Sequence, residues 1–344
     1  MKTLAFIVMA LGLGAAYADS PTPAIPAQMK AVAIDQPGGP EALTLRTLPV
    51  PKVDANEILI AVQSAGVAVW DTQIRKSLAF ISRPKFPYVL GSDGSGVVSA
   101  VGKSVTRFKV GDAVYAYCWD NPKGGFYAEF VAVPSDCAAK LPKGISLDAA
   151  GALGASGLTA LSGVDRALSL KRGDTIIIHG ASGAVGTLAL QLAKLRGARV
   201  LATASGDEGL ALVKRLGADA AVDGRNGDIT AAAREFAPDG VDAVLAFAGG
   251  AALEKCLDAL RDGGRVAYPT GVEPVPQPRS GLTIIPFDAL FGDQKIQFAQ
   301  LNQAIEAAHF EVPIAGTFSL AEAADAHRRI EAGRLAGKVV LKIR

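Results

Sequence analysis

The chain reads as an α/β protein of two units, a β-rich one followed by a doubly wound parallel sheet. Three observations carry this. From Met29 to about residue 146, short alternating segments are separated by Gly- and Pro-containing turns, the pattern of an all-β unit. After Leu147 the period changes, and strand and helix alternate as far as Tyr268. Between the first strand and helix of that alternating region lies Gly180-Ala181-Ser182-Gly183-Ala184-Val185-Gly186. A glycine-rich turn there lets the chain reverse and leaves helix N–H groups facing an anion.

In order along the chain, Met29–Ile34 and Leu43–Leu48 read as strands around the turn Gln36-Pro37-Gly38-Gly39-Pro40. Glu57–Val67, Gly91–Val101, Gly111–Tyr117 and Gly124–Val133 complete the β-rich unit. Ala149–Leu168 has helical spacing. Strands are expected at Asp174–Ile178, Arg199–Ala202, Ala220–Val222, Val241–Ala246 and Gly264–Tyr268. The run Ile176-Ile177-Ile178 fits a strand covered on both faces. Helices are expected at Ala184–Arg196, Asp207–Leu216, Ile229–Phe236 and Ala251–Leu260, then a last helix at Leu320–Ala332 and a last strand at Lys338–Ile343.

Length and composition narrow the function. A chain of 344 residues, half of them hydrophobic, suggests two domains with large cores. With 35 basic and 33 acidic residues, nothing argues for nucleic acid or an anionic membrane surface. The three cysteines, Cys118, Cys137 and Cys256, are far apart in sequence and imply neither a disulfide framework nor a metal cluster. His179 precedes the glycine turn, and His309 and His327 show no partner in the sequence. The first residues differ in kind. Lys2, an apolar run from Leu4 to Ala16 and the small-residue end Ala16-Tyr17-Ala18 read as a signal peptide over 1–18. A Pro-rich tether follows over 19–28. The expected location is periplasmic or secreted, without a stable membrane anchor, with a cytoplasmic protein starting at Met29 as the alternative.

At the second strand of the alternating region the end Thr203-Ala204-Ser205 is uncharged. A carboxylate there would hold a ribose 2′-hydroxyl, so a neutral end leaves room for a 2′-phosphate. Arg225 is placed to reach the same ribose. The cofactor expected is therefore NADP(H).

Gly91-Ser92-Asp93-Gly94-Ser95-Gly96-Val97-Val98, Val101-Gly102 and Phe108-Lys109-Val110-Gly111-Asp112-Ala113-Val114 resemble the N-terminal signature of the zinc-independent medium-chain dehydrogenase/reductases. The glycine turn is similar to that of their quinone oxidoreductase branch. Leu216-Gly217-Ala218-Asp219, Gly263-Gly264-Arg265-Val266 and Gly337-Lys338-Val339-Val340-Leu341 follow in the family's order. The resemblance implies a GroES-like β-rich domain over 29–150, completed by 300–344, and a Rossmann domain over 151–299. It also implies cofactor contacts from Thr159, Phe247, Ala248, Gly249, Gly271, Phe298 and Lys338, beside those of the glycine turn.

Zinc members of the family would carry a Cys within 66–71 and a Gly-His-Glu near Gly91-Ser92-Asp93; neither is present, so no metal is expected. Zinc-free relatives carry Asn where this chain has Ala68, and NADPH-binding ones carry Lys and Tyr at the positions of Gly209 and Gly224. The implied reaction is hydride transfer from NADPH to a quinone or an α,β-unsaturated carbonyl, with Asp71, Tyr88 and Tyr117 as candidate proton donors and Trp70 and Phe298 as candidate pocket walls. A noncatalytic exported dinucleotide-binding protein is the competing reading, and a homodimer is compatible with the apolar helices. N-terminal sequencing of the native protein is expected to start at Asp19; a start at Met29 would refute export.

Overall fold

The computed structural model describes residues 25–78, 81–82, 84–290 and 292–344; the expected signal peptide and residues 19–24 of the tether lie outside the described residues. The β-rich part contains β1 (Gln28–Ile34), β2 (Thr44–Pro49), β3 (Glu57–Val67), α1 (Val69–Ser77), β4 (Tyr88–Val89), β5 (Asp93–Val101), β6 (Ala113–Tyr117), β7 (Phe130–Pro134) and β8 (Ala138–Lys140). The chain then passes through α2 (Leu147–Ala150) and α3 (Gly154–Leu161). The alternating part runs β9 (Thr175–His179), α4 (Ala184–Leu195), β10 (Arg199–Ala204), α5 (Gly206–Arg215), β11 (Ala220–Asp223), α6 (Ile229–Phe236), β12 (Val241–Ala246), α7 (Ala251–Leu257), β13 (Leu260–Pro269) and β14 (Thr283–Phe287). It closes with α8 (Gln294–Glu306), β15 (Ile314–Ser319), α9 (Ala323–Glu331) and β16 (Lys338–Lys342).

The cofactor-type sheet has the order β11-β10-β9-β12-β13-β14, all parallel. The strand sequence therefore reverses between β9 and β12, and the crevice at the carboxyl ends of those strands is where such sheets bind ligands. Ile176, Ile177 and Ile178 in β9 are fully buried, as a strand with helices on both faces requires. The second large sheet runs β15-β16-β3-β5-β6-β8, with β7 also on β3. The C-terminal strand thus returns to the β-rich unit, pairing antiparallel with β3.

Some elements depart from the sequence reading. The helix expected over 149–168 is split into α2 and α3, and α3 runs on into a wider π turn, Ser162–Ala167, where Leu168 N–H reaches Gly163 O at 3.0 Å. The break reflects close packing, since a Cβ on Gly151 would meet Ser64 Oγ at 2.2 Å and one on Gly154 would meet Ala116 O at 2.6 Å. Only Phe130–Pro134 of the expected strand 124–133 is extended. Gly124 sits at φ 100° and Gly125 lies against Gly91 O, which makes that glycine pair a loop. The sequence reading contained neither α1 nor α8, β14 or β15; α1 is short and its sequence, VWDTQIRKS, buries the polar Asp71, Thr72 and Arg75, so hydrophobic periodicity does not reveal it.

Candidate active site

The glycine turn begins where β9 ends. Gly180 turns at φ 79°, and its N–H donates to Thr203 Oγ1 at 3.1 Å, while His179 Nδ1 lies 2.8 Å from the same hydroxyl. Gly186 leaves no space for a side chain, because a Cβ would meet Gly180 O at 2.2 Å. Gly183 differs. It caps α4 in an extended conformation, and a Cβ there would meet only Gly180 O, at an ordinary 3.4 Å. The N–H groups of Ala184, Val185 and Gly186, which find no acceptor within the helix, belong to the first turn of α4, whose N-terminus carries the positive end of the helix dipole. This open, glycine-floored helix N-terminus fits a dinucleotide pyrophosphate. Ala181 and Ser182 are buried beneath it. Phe247 N–H donates to His179 O at 3.0 Å, which holds the β12 end beside the turn; exposed Ala248 and Gly271 and half-buried Gly249 stand at the carboxyl ends of β12 and β13.

The ribose end is not as the sequence suggested. Thr203 and Ala204 are buried, and the Thr203 hydroxyl braces Gly180, so of that strand end Ser205 alone is half-buried. Asp223, the register partner of Ala204, brings in a carboxylate from β11. It accepts N–H bonds from Gly206 at 3.2 Å, Arg225 at 2.8 Å and Asn226 at 3.0 Å, and these donors hold its carboxyl below the usual range. The edge read as neutral is therefore acidic, and the Gly206 N–H that a 2′-phosphate would use is already engaged. Arg225 is exposed on the same turn.

Three further positions place themselves differently from expectation. Phe298 is fully buried in an edge-on stack with Tyr115, ring centroids 5.1 Å apart, so it is core and lines no cleft. Thr159 is buried, and its hydroxyl donates to Ala155 O at 2.8 Å. Lys338 turns its side chain inward, with Nζ 3.4 Å from Ser156 Oγ, 3.6 Å from Asp93 Oδ2 and 5.3 Å from the centre of the Trp70 ring. Its predecessor Gly337 reaches the cofactor turn instead, donating its N–H to Ser182 O at 2.8 Å.

Trp70 and Trp119 meet edge-on, centroids 6.3 Å apart, and each packs against both main hydrophobic cores. They form an aromatic wall where the two units meet. Trp70 Nε1 donates to Ser92 Oγ at 2.9 Å. Ala68 and Ser92 thus occupy the positions at which zinc ligands would be sought, and neither offers zinc a thiolate or imidazole. Among the described residues no three His, Cys, Asp or Glu side chains converge. A metal does not fit this donor set.

Below the wall lie two fully buried carboxylates, Asp71 and Asp93, and one buried ammonium, Lys338. Asp93 takes the lysine and the Ala155 N–H. Burial, with the Asp93 charge adding to it, pushes Asp71 up to about 7, against the opposing Ala68 N–H, which donates to Asp71 Oδ2 at 2.8 Å. One relay of side chains ends on that same oxygen. Arg75 can only donate, so its 3.3 Å contact with His327 Nδ1 leaves the ring proton on Nε2. Nε2–H then donates to Tyr127 Oη at 3.1 Å, and the Tyr127 hydroxyl donates to Asp71 Oδ2 at 3.3 Å. Burial and the guanidinium push His327 down to about 3, in keeping with a neutral ring. His327 therefore has two partners that sequence did not reveal, while His309 is exposed, 3.9 Å from Glu311. Among the described residues Asp71 Oδ1 has no hydrogen-bond partner. Asp71 lines a cavity of about 20 Å³, the room of about one water, together with Tyr88, Ser92, Cys118 and Trp119. Burial raises both Tyr88 and Tyr117, so each phenol stays protonated at neutral pH. Tyr88 shares the cavity with Asp71, whereas Tyr117 sits in the core with its carbonyl held by Gln294 Nε2.

A parallel sheet with its glycine turn, joined through an aromatic wall to a β-rich unit, defines a two-domain dinucleotide-binding oxidoreductase. Residues 54–143 match the family model described as alcohol dehydrogenase GroES-like domain, and residues 216–341 the one described as zinc-binding dehydrogenase. A quinone oxidoreductase of Lama guanicoe is 32% identical over 92% of this chain and 98% of its own length. A 2-methylene-furan-3-one reductase of Solanum lycopersicum is 32% identical over 97% of this chain and 84% of its own. Among solved structures, an NAD-dependent alcohol dehydrogenase superposes with TM-score 0.83 at 32% identity, covering 92% of this chain and all of that one. A mycobacterial protein complexed with NADPH does so with TM-score 0.80 at 29% identity and the same coverage. The chain belongs to the medium-chain dehydrogenase/reductase family, among its quinone oxidoreductase-like members.

Two outcomes follow from this geometry. Gly183→Val is expected to fold with near wild-type thermal stability yet lose dinucleotide binding by at least a hundredfold, whereas Gly186→Val is expected to destabilise the fold, because only the second site lacks room. Calorimetric titration beside thermal melts separates them, and tight binding by folded Gly183→Val would show that this turn is not the phosphate site. The second outcome concerns Asp71. Folded, it keeps its proton up to about pH 7; unfolded, it releases it near 4, so across that window its contribution to stability falls as pH rises. The melting temperature of Asp71→Asn relative to wild type should therefore rise from pH 4 to 7 and level off above; a constant difference would mean that Asp71 does not titrate there.

Proposed function

We propose that the protein is an NADP(H)-dependent, metal-independent reductase that transfers hydride to a quinone or an α,β-unsaturated carbonyl. The observation that carries the reading is the helix N-terminus with room above Gly183, in a parallel-sheet unit that meets the β-rich unit at the Trp70–Trp119 pair. The relatives named quinone oxidoreductase and furanone reductase support the acceptor class, and the NADPH complex supports the cofactor.

The first turn of α4 would bind the pyrophosphate, and Gly180 and Phe247 would border the path toward the aromatic wall. The nicotinamide, when bound, supplies the hydride. Trp70 and Trp119 offer a planar acceptor an apolar face. A reduced quinone can take its proton from solvent. An enone leaves an enolate, and Asp71, half-protonated near pH 7, lines a cavity with room for about one water through which it would return a proton. Tyr127 and His327 hold one oxygen of that carboxyl in place.

Stopped-flow oxidation of NADPH against a panel of quinones and enones, after dialysis against a chelator, tests the whole reading; binding without turnover of any acceptor would favour the noncatalytic alternative. Cofactor choice has its own test. The Asp223 charge opposes a 2′-phosphate, so Asp223→Asn is expected to raise the NADPH-to-NADH ratio of kcat/KM by about tenfold, the effect of about 1.4 kcal/mol. An unchanged ratio would place the 2′ group away from β11.

A further inference from the structure

Thr203 stands at the strand end where a ribose would be read, yet its side chain serves the glycine turn. The pairing of β9 with β10 sets Thr203 directly opposite His179. In register on one face of the sheet, both are buried, and Thr203 Oγ1 lies 2.8 Å from His179 Nδ1. The same oxygen accepts the Gly180 N–H at 3.1 Å, and the carbonyl of Thr203 accepts the next N–H, from Ala181, at 2.9 Å. One residue thus holds the peptide before Gly180 and the peptide after it.

The directions of these bonds follow from the donors. Thr203 Oγ1 carries one hydrogen, and among the described residues His179 Nδ1 is its acceptor. Cys256 Sγ, 3.8 Å from the same nitrogen, donates instead to Ala252 O at 3.3 Å. The ring proton of His179 therefore sits on Nε2. Burial holds the imidazole down at about 4, so the ring is neutral and Nδ1 keeps its lone pair at neutral pH. A hydroxyl that donates to a ring nitrogen is polarised and accepts more strongly, which tightens its hold on Gly180.

Gly180 is the pivot of the turn. It stands at φ 79°, its carbonyl accepts the Gly183 N–H at 3.1 Å, and that carbonyl fills the space a Cβ on Gly186 would need. A tilt of either Gly180 peptide displaces Gly183 and the first turn of α4 with it.

We propose that Thr203 and His179 are positioning residues for the dinucleotide: their hydrogen bond fixes the peptides of Gly180 and so presents the first turn of α4 to the pyrophosphate. Thr203 is fully buried beneath the turn, so it acts through Gly180 and on the part that NADPH and NADH have in common. The proposal rests on the reading of that turn as the pyrophosphate site.

The test is calorimetric titration of full-length variants with NADPH and with NADH, beside thermal melts. Thr203→Val, which exchanges the hydroxyl for a methyl, and His179→Leu are expected to weaken both cofactors by about tenfold, the scale of one lost hydrogen bond, and to leave the ratio of the two affinities unchanged. Thr203→Ser keeps the hydroxyl and His179→Asn keeps an acceptor at the place of Nδ1, so each should restore binding. Nitrogen NMR of the wild-type chain with labelled histidine should show His179 as the Nε2–H tautomer, a readout that needs no variant to fold. Wild-type affinity in folded Thr203→Val, a loss confined to one cofactor, failure of Thr203→Ser to restore binding, or an Nδ1–H tautomer would each overturn the proposal. Gly183→Val tells this failure from that of the site: tight binding there removes the phosphate turn itself, whereas its loss beside an unaffected Thr203→Val refutes the positioning role alone.

Discussion

A backbone bridge links the two halves of the site. Gly337 donates its N–H to Ser182 O at 2.8 Å, and Gly183 and Gly337 form a parallel bridge. The chain can pass there only as glycine, for Gly337 stands at φ 113° with Pro313 O where a Cβ would be. One residue later Lys338 turns into the β-rich unit, toward Asp93 and the Trp70 ring. The phosphate turn, the buried lysine and the aromatic wall are thereby held in one frame by adjacent residues.

That frame explains why ionisable groups persist in so apolar an interior. A carboxylate without compensation is expensive to bury, and here two carboxylates share one ammonium. Asp93 meets Lys338 and the Ala155 N–H through Oδ2 alone, and burial still raises its carboxyl above the usual range. Burial raises Asp71 to about 7 so that it can keep a proton, while the Ala68 N–H at the start of α1 and the Tyr127 hydroxyl, itself in line with His327 and Arg75, favour the charged form. The charge at the far end is balanced too, since Arg75 donates to Glu331 at 2.6 Å and to Gly38 O at 3.1 Å.

Much of this protein could be read from its residues. The β9 and β3 strands, the glycine turn and the βα alternation are visible because burial imposes period on local sequence, and because a helix N-terminus that meets an anion needs glycine at set spacings. Elements whose burial is polar left no such period: α1 escaped notice, and so did Asp93, Tyr127 and Arg75 as members of one network.

The residues by themselves determined the class of fold and the place of the glycine turn between β9 and α4, since each depends on side-chain chemistry within a few positions. Only the tertiary structure decided what surrounds the ribose and the reacting centre. Ala204 reads as a neutral strand end until β11 sets Asp223 beside it, and His327 reads as isolated until α9 packs on α1. Phe298 reads as a pocket wall until Tyr115 covers it. Charge and hydrogen-bond partners act through space over a few ångströms, and distance along the chain carries almost no information about them.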